Sequence, residues 1–521
     1  MRIQVLSAIV CLASAAYADT AWVRCYRGPI HDFGQAIGVD QTGRVCVTGK
    51  SVRASSSEDF VTIIYDSLGN QLLLDFYTGP GAWYDQATAA AFDAAGNFYA
   101  IGHSMTDSAQ PRDYDILRIK YPVSGPREVA VVGCGGDTSE ITNAAVADSA
   151  GNIYVAGELW IGSGVSRCMA MKLGATGGEL WRSVIGGAGS ENDRFEDVGL
   201  DRSGNVFFAG RCWRATEDVV MAKYAPGGGL LWMKFFDGGM DDAAEAVVVD
   251  DSGCLYAAGY SESDRVLHLL VVKLNPQGDT IWTRRYNTPD SFETRAFAMA
   301  IDSSGSVYLA GTLIGASGGS DFLTVKYDSH GNIAWTARYS GPFVNDVPYD
   351  IAVDQQHCAY VVGRTAVNSS DDDCVIVKYD SLGNEVWVST YSGTSNGYDM
   401  FYGVAVAPSG DPCVVGHVWN ESTYIDMVTA KYRSASGVLE RQGNSRLEPM
   451  PASIITARGG LLLAESPRNE TQAASLLTAD GRRVMSLVPG PNDVSGLAPG
   501  VYFVRQAQAQ AQAIRKIVIT R

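Results

Sequence analysis

"DFLTVKYDSHGNIAWTARYSG", residues 321–341, reads as two β-strands around one tight glycine turn, and "DCVIVKYDSLGNEVWVSTYSG" writes the same hairpin again at 373–393. Both halves are rich in β-branched and aromatic residues, and the Asp-Ser-x-Gly-Asn between them is turn chemistry. A hairpin repeated 52 residues on signals an internal repeat, which must be read before anything else. Working outward, each copy follows a segment of the type "DSAGNIYVAG" (148–157). Its closing glycine recurs at Gly49, Gly102, Gly157, Gly210, Gly259, Gly311, Gly363 and Gly416, at spacings of 49 to 55 residues. Eight units therefore stand in a row.

Each unit resolves into four strands. The first ends in Asp40, Asp93, Asp148, Asp201, Asp250, Asp302 or Asp354, with Ala407 in the eighth copy. A D-x-x-G turn leads to the second strand, a variable loop to the third, and a second tight turn to a fourth marked by Trp181, Trp232, Trp282, Trp335 and Trp387. Apolar residues on both faces predict sheets covered on both sides, and four antiparallel strands stacked against neighbouring repeats describe a β-propeller blade. Unit eight lacks a good fourth strand, while "TAWVRCYRGP" at 20–29 matches "IAWTARYSGP" at 333–342. Residues 20–28 are thus expected to complete the last blade of an eight-bladed propeller over 19–440, which removes the free edge.

Composition bounds the partners. A net charge of −17 argues against nucleic acid and anionic membranes, which attract basic surfaces. Arg2, an apolar run from Val5 to Ala16 and the small-x-small Ala16-Tyr17-Ala18 read as a signal peptide over 1–18. No transmembrane segment is expected in the mature chain. Its nine cysteines have no CxxC spacing, so a zinc site is not indicated and any disulfide pairing is left unassigned.

With units such as "AVDSSGNVYVAG" as its pattern, the repeat resembles the bacterial β-propeller repeat proteins (SBBP-like repeats), whose motif marks a fold and not an activity. Residues 441–453 read as a polar, proline-bounded linker. Strand-like runs separated by glycine and proline turns then predict a small all-β, Ig-like β-sandwich over 454–521. This tail resembles the C-terminal (Por-type) sorting domain of type IX secretion in Gram-negative bacteria, through Asp480, Gly481, Leu497, Gly500, Tyr502 and Lys516, although the Asn-Pro that usually opens such domains is missing. The resemblance implies passage through the periplasm, contact with export and outer-membrane sorting machinery, and a secreted or cell-surface address.

Within the propeller, an acid stands eight residues before the first-strand aspartate: Asp32, Asp85, Glu140, Asp193, Asp242 and Asp346, with Asp399 in unit eight and Glu293 shifted one place beside Thr294. In a propeller the first strand lines the central channel, so these residues are expected as a ring at one channel mouth. Either they cap backbone and hold neighbouring blades together, or they form a carboxylate ring for a metal or a basic ligand. No cofactor is expected; calcium is the ion such a ring would suit, and the capping reading predicts melting unchanged by chelators. The turn aspartates read as turn formers. Lys120, Lys172, Lys223, Lys273, Lys326, Lys378 and Lys431 read as solvated strand ends. Variable loops carrying Trp160, Trp213 and Trp419 share a face with the acids and read either as a recognition surface or as covers for the blade edge.

Six scattered histidines and no GxSxG elbow give catalysis little support. The hairpins resemble sialidase aspartate boxes and the tryptophan-docking repeats of quinoprotein dehydrogenases, but the D-x-x-G spacing is one residue longer than the former and no Cys-Cys pair accompanies the latter. The reading is a surface or secreted binding or scaffold protein for an unidentified glycan, peptide or protein. The alternative is a propeller enzyme of the quinoprotein or hydrolase kind.

Overall fold

The computed structural model describes residues 20–434, apart from 54–56, 82–83, 108–112, 136–137, 163, 187–191, 289–290, 316–317 and 422–423, and in the tail the strands between Ile455 and Ile519. Residues 1–18, expected as a signal peptide, and 441–453, expected as a linker, fall outside the described residues. The chain divides into two compact units, Met1–Asn444 and Ser445–Arg521.

Among the described residues the first unit is all strand and turn, without a helix. Strands pair antiparallel in fours, as in Val347–Val353, Ala359–Asn368, Asp371–Tyr379 and Glu385–Tyr391. Among the described residues eight such sets lie between Thr20 and Tyr432, the eighth joined to the first and the fifth to the sixth by short parallel bridges, and they are called sheets one to eight below in the order of their first strands. Sheet eight takes its fourth strand from the other end of the chain: Thr20–Tyr26 pairs with Tyr424–Tyr432. Trp22 lies opposite Lys431, as Trp335 lies opposite Lys326. The residue-for-residue match of 20–29 to 333–342 carries that register.

Second and third strands are buried nearly end to end, Ser320–Tyr327 completely, because neighbouring sheets cover both faces. The core is therefore divided among the gaps between sheets. Tyr360 and Val362 of sheet seven pack with Phe401 and Val414 of sheet eight, and Val45 and Val47 of sheet one pack with Val415, Met427 and Trp22 of sheet eight. The tryptophans reach across these gaps. Trp181, Trp232, Trp282 and Trp335 each donate Nε1–H to a carbonyl of the next sheet's second turn at 3.0–3.3 Å, and Trp22 does the same to Ser67 of sheet one.

The closing glycine has a steric cause. Each first strand carries a bulge, for instance between Pro348 and Asp350. The bulge presses a first-strand carbonyl onto the glycine, so that a Cβ at Gly363 would collide with the Val347 oxygen, and the equivalent carbonyl meets each of the other seven.

The recurring lysines are not solvated strand ends. Lys172, Lys223, Lys273, Lys326, Lys378 and Lys431 are buried. Lys273 Nζ donates to Ser329 O at 3.0 Å, lies 4.6 Å from the Tyr256 ring and is 3.8 Å from Asp250. The aliphatic stem is covered by the adjacent sheet while the ammonium keeps three kinds of partner. All nine cysteines after residue 18 are free thiols.

Among its described residues the second unit has one three-stranded sheet, Ile455–Ala457, Gly460–Leu463 and Gly490–Asp493, and one of four strands, including Ala474–Thr478, Gly500–Ala507 and Gln512–Ile519. Gly500, Tyr502 and Lys516 lie in its paired strands, with Tyr502 opposite Thr478 and Ile517. Asp480, Gly481 and Leu497 fall outside the described residues.

Candidate functional site: the loop face and the seams beneath it

The acids singled out by sequence come to equivalent places, at the start of each first strand. Asp32, Asp85, Glu140, Asp193, Asp242, Asp346 and Asp399 are closed to solvent, at most 1% exposed, so they present no open ring to a ligand. Asp32, Asp85, Glu140, Asp242, Asp346 and Asp399 each hold the connection arriving from the sheet before. Asp32 accepts from Gly28 N–H at 2.5 Å and Ser51 Oγ at 2.6 Å; Asp85 from Gly79 N–H and Ser104 Oγ, both at 2.5 Å. Asp346 accepts from Gly341 N–H at 2.6 Å and Thr365 Oγ1 at 2.7 Å, and Asp399 from the N–H groups of Gly393 and Trp419, both at 2.6 Å. Asp193 takes the Trp213 N–H, Glu140 the Cys134 N–H and Asp242 the Gly238 N–H. In sheet six Thr294 occupies this place, accepting from Leu269 N–H and donating to Tyr286 O, while Glu293 sits beside it, half-buried and paired with Arg295 at 3.2 Å.

A second row of acids faces the first. The third strand of one sheet begins beside the first strand of the next, with backbone bridges at His31–Ile425, Glu58–Tyr84, Leu267–Glu293 and Asp372–Tyr398. The residue six positions before the end of each third strand is consequently brought to the first-strand acid: Asp59 to Asp85, Asp115 to Glu140, Asp218 to Asp242, Asp321 to Asp346, Asp373 to Asp399 and Asp426 to Asp32. The other two seams vary together. Arg167 stands against Asp193 at 3.5 Å, and His268 stands at the seam of Thr294. Sequence reasoning missed this row, although an aspartate six residues before the tyrosine of "VKY" was there to be counted. Paired buried carboxylates repel unless protonated or ion-paired. Burial, then the neighbouring acids, pushes Asp399 up to about 7; burial likewise raises Asp32 to about 6. Arginines flank the pairs: Arg27 is 3.3 Å from Asp426, Arg53 is 3.5 Å from Asp59, and Arg338 bonds Asp321.

Among the described residues, one space open to a ligand lies outside these seams, on the same face. A groove of about 510 Å³ runs across sheets six to eight, between Phe343, Val344 and Asn345 on one side and Tyr398 on the other. Asn368, Ser369 and the bonded pair Arg364–Asp372 form its floor and wall. Phe343 is 43% exposed and Tyr398 49%. Of the loop tryptophans, Trp419 is half-buried against Gly397, next to Tyr398; Trp213 is 42% exposed; Trp160 is half-buried in its strand. The structure does not gather the three into one patch.

The bulge in each first strand leaves one residue out of the ladder. A cavity of about 250 Å³ is bounded by Gln35, Thr88, Asn143 and Tyr402, all at bulges, and by Asp350. Around sheets four and five the corresponding positions are filled by their own ion pairs, with Arg211 at 3.0 Å from Glu196 and 2.6 Å from Glu245.

No family model matches this chain, and no curated protein matches its sequence. Among solved structures it is similar to Sqt1 from Chaetomium thermophilum, with a TM-score of 0.50 at 10% identity over 81% of this chain and 100% of that one. The fold is that of a β-propeller. A puromycin hydrolase follows with a TM-score of 0.43 at 12% identity, covering 77% of this chain and 61% of that one. An ulvan lyase has 0.39 at 13%, covering 79% and 94%. The 10% identity to Sqt1 speaks for fold and not for activity.

Proposed function

We propose that this protein is an exported binding protein, an eight-bladed β-propeller closed by its own N-terminal strand, which offers a ligand groove on its loop face. The observation that carries the reading is the groove of Phe343, Asn345, Arg364, Asn368 and Tyr398, where exposed aromatic rings stand over hydrogen-bonding groups. Closure is supported by the pairing of Thr20–Tyr26 with Tyr424–Tyr432 and by Trp22 reaching Ser67 as the other tryptophans reach their next sheets.

The lining suits a neutral glycan. Arg364 is already paired with Asp372, so the groove carries no spare cation for an anionic polymer, and the net charge of −17 disfavours one further. Amides and a carboxylate–guanidinium pair match sugar hydroxyls, while Phe343 and Tyr398 offer faces for the apolar side of a sugar ring. Screening the purified protein on neutral oligosaccharides, beside the Tyr398→Ala and Phe343→Ala variants, tests this. Both side chains are exposed, so the fold should survive. Retained binding by both variants would remove the groove from the account, and a cofactor absorbance band would favour the enzymatic reading instead.

Export is the second part of the proposal. The signal segment at 1–18 and the sorting-like tail over 454–521 support delivery to a Gram-negative cell surface.

A further inference from the structure

The seam between sheets two and three gathers three acids. Asp113, Asp115 and Glu140 each bring one carboxylate oxygen within 4.8 Å of the other two. Asp113 and Asp115 open the third strand Asp113–Tyr121, and Glu140 lies on the first strand Thr138–Ala147. Glu140 is fully buried. Its Oε1 accepts from Cys134 N–H at 2.8 Å and Arg182 at 2.5 Å, but its Oε2 has no donor, and neither has Asp115 Oδ1.

The repeat shows why. Nineteen residues after the acid stand Ser51, Ser104 and Thr365, and each bonds its carboxylate. After Glu140 that place holds Leu159, which has no hydrogen to give. A buried anionic oxygen without a donor costs several kcal/mol, on the order of the ion desolvation penalty, unless something positive fills the gap. The group at the next-but-one seam, Asp218, Asp237 and Asp242, has Arg214 at 3.6 Å from Asp218 and Arg285 drawing on Asp242, as this seam has Arg182 on Glu140 Oε1; what sets this seam apart is Leu159 in the hydroxyl's place.

We propose that Asp113, Asp115 and Glu140 bind a divalent cation of the calcium class. The donors are all oxygen, the choice of a hard cation, and the half-buried side of Asp113 leaves coordination positions to water. Arg182, held by Glu140 and Glu179, opposes the ion, so affinity belongs near the weak end for calcium, with a Kd of about 0.1–1 mM. This is a single seam, and the capping role of the other acids stands.

Tyr114 lies between the two aspartates, and Trp160 pairs across the sheet with Ser139, so both can sensitise bound terbium. Titrating the purified full chain with terbium at pH 7.5 should give sensitised emission that saturates at one equivalent and is displaced by calcium. Calcium should also raise the melting temperature in proportion to the logarithm of its concentration. Asp115→Asn and Glu140→Gln should each weaken binding at least tenfold, and Asp113→Asn, at the half-buried edge, serves if either fails to fold. Calcium-free Asp115→Asn should melt no lower than the parent, because it removes a repulsion. Absence of both emission and a calcium-dependent melt, or their survival in all folded variants, would overturn the site and leave a shared proton between Asp115 and Glu140.

Discussion

At the scale of single residues, the seam acids act through their hydrogen-bond partners. Removing the Asp346 carboxylate by Asp346→Ala strands the Gly341 N–H, the Thr365 hydroxyl and the Ala366 N–H, and should cost about 3 kcal/mol in urea unfolding; Asp346→Asn, which keeps an acceptor, should cost about 1 kcal/mol. The same burial fixes the pH response. Burial raises Asp399 and Asp197 to about 7 and Asp32, Asp350 and Asp373 to about 6, against about 3.9 in the unfolded chain. Between those values the native state alone holds the protons, so this stability is complete below about pH 4 and is lost as pH rises to 7. Buried His103 and His417, lowered to about 4, work the other way below pH 6.5, but five carboxyls outnumber two imidazoles. Asp302, which hydrogen bonds from Ser304, Ser306 and Tyr308 hold at about 2 against its burial, gives way only in stronger acid. The melting temperature should therefore rise from pH 8 to pH 5 and fall below about pH 4; a maximum at pH 8 would contradict the buried-pair account. The first acid of each pair was legible because its spacing repeats. Its partner recurs as regularly, six residues before the end of each third strand, but that the two rows meet follows only from the third strand of one sheet lying beside the first strand of the next.

At the scale of elements, the hairpin was readable because local chemistry dictates it, and the closing glycine because it recurs. The D-x-x-G aspartates bond their own turns: Asp201 Oδ1 accepts from the N–H groups of Ser203 and Asn205, both at 2.9 Å. The glycine's role is visible only in three dimensions, where the first-strand bulge meets it. Gly363→Ala would force Val347 or its strand to move and should cost about 3 kcal/mol or more in thermal or urea unfolding, unlike an alanine at an ordinary turn. Lysine was misread at this scale. A charged residue at a strand end reads as solvated, yet the adjacent sheet lies over Lys273 and supplies Ser329 O. Trp22 is 8% exposed, lies 5.7 Å from the Tyr65 ring and bonds Ser67 at 3.3 Å. Trp22→Ala should lower stability by about 4 kcal/mol, a core-sized loss for a residue near the end of the chain.

At the scale of the whole molecule, eight repeats implied a ring, and the match of 20–29 to 333–342 said where it would close. The ligand was not legible, because the groove is assembled from connections of sheets six to eight whose residues do not repeat. The proposed division of labour between the two units makes its own prediction: deleting 454–521 should leave a folded propeller held in the periplasm, and surface display of that truncated protein would end the sorting reading. The central claim, closure of the ring by the N-terminal strand, is tested most directly by hydrogen exchange on the purified protein. Amides of residues 20–26 should exchange as slowly as those of 424–432, because both belong to one paired edge whose opening requires the ring to open. Exchange of 20–26 within seconds, with 424–432 still protected, would show a free N-terminal segment and an open propeller.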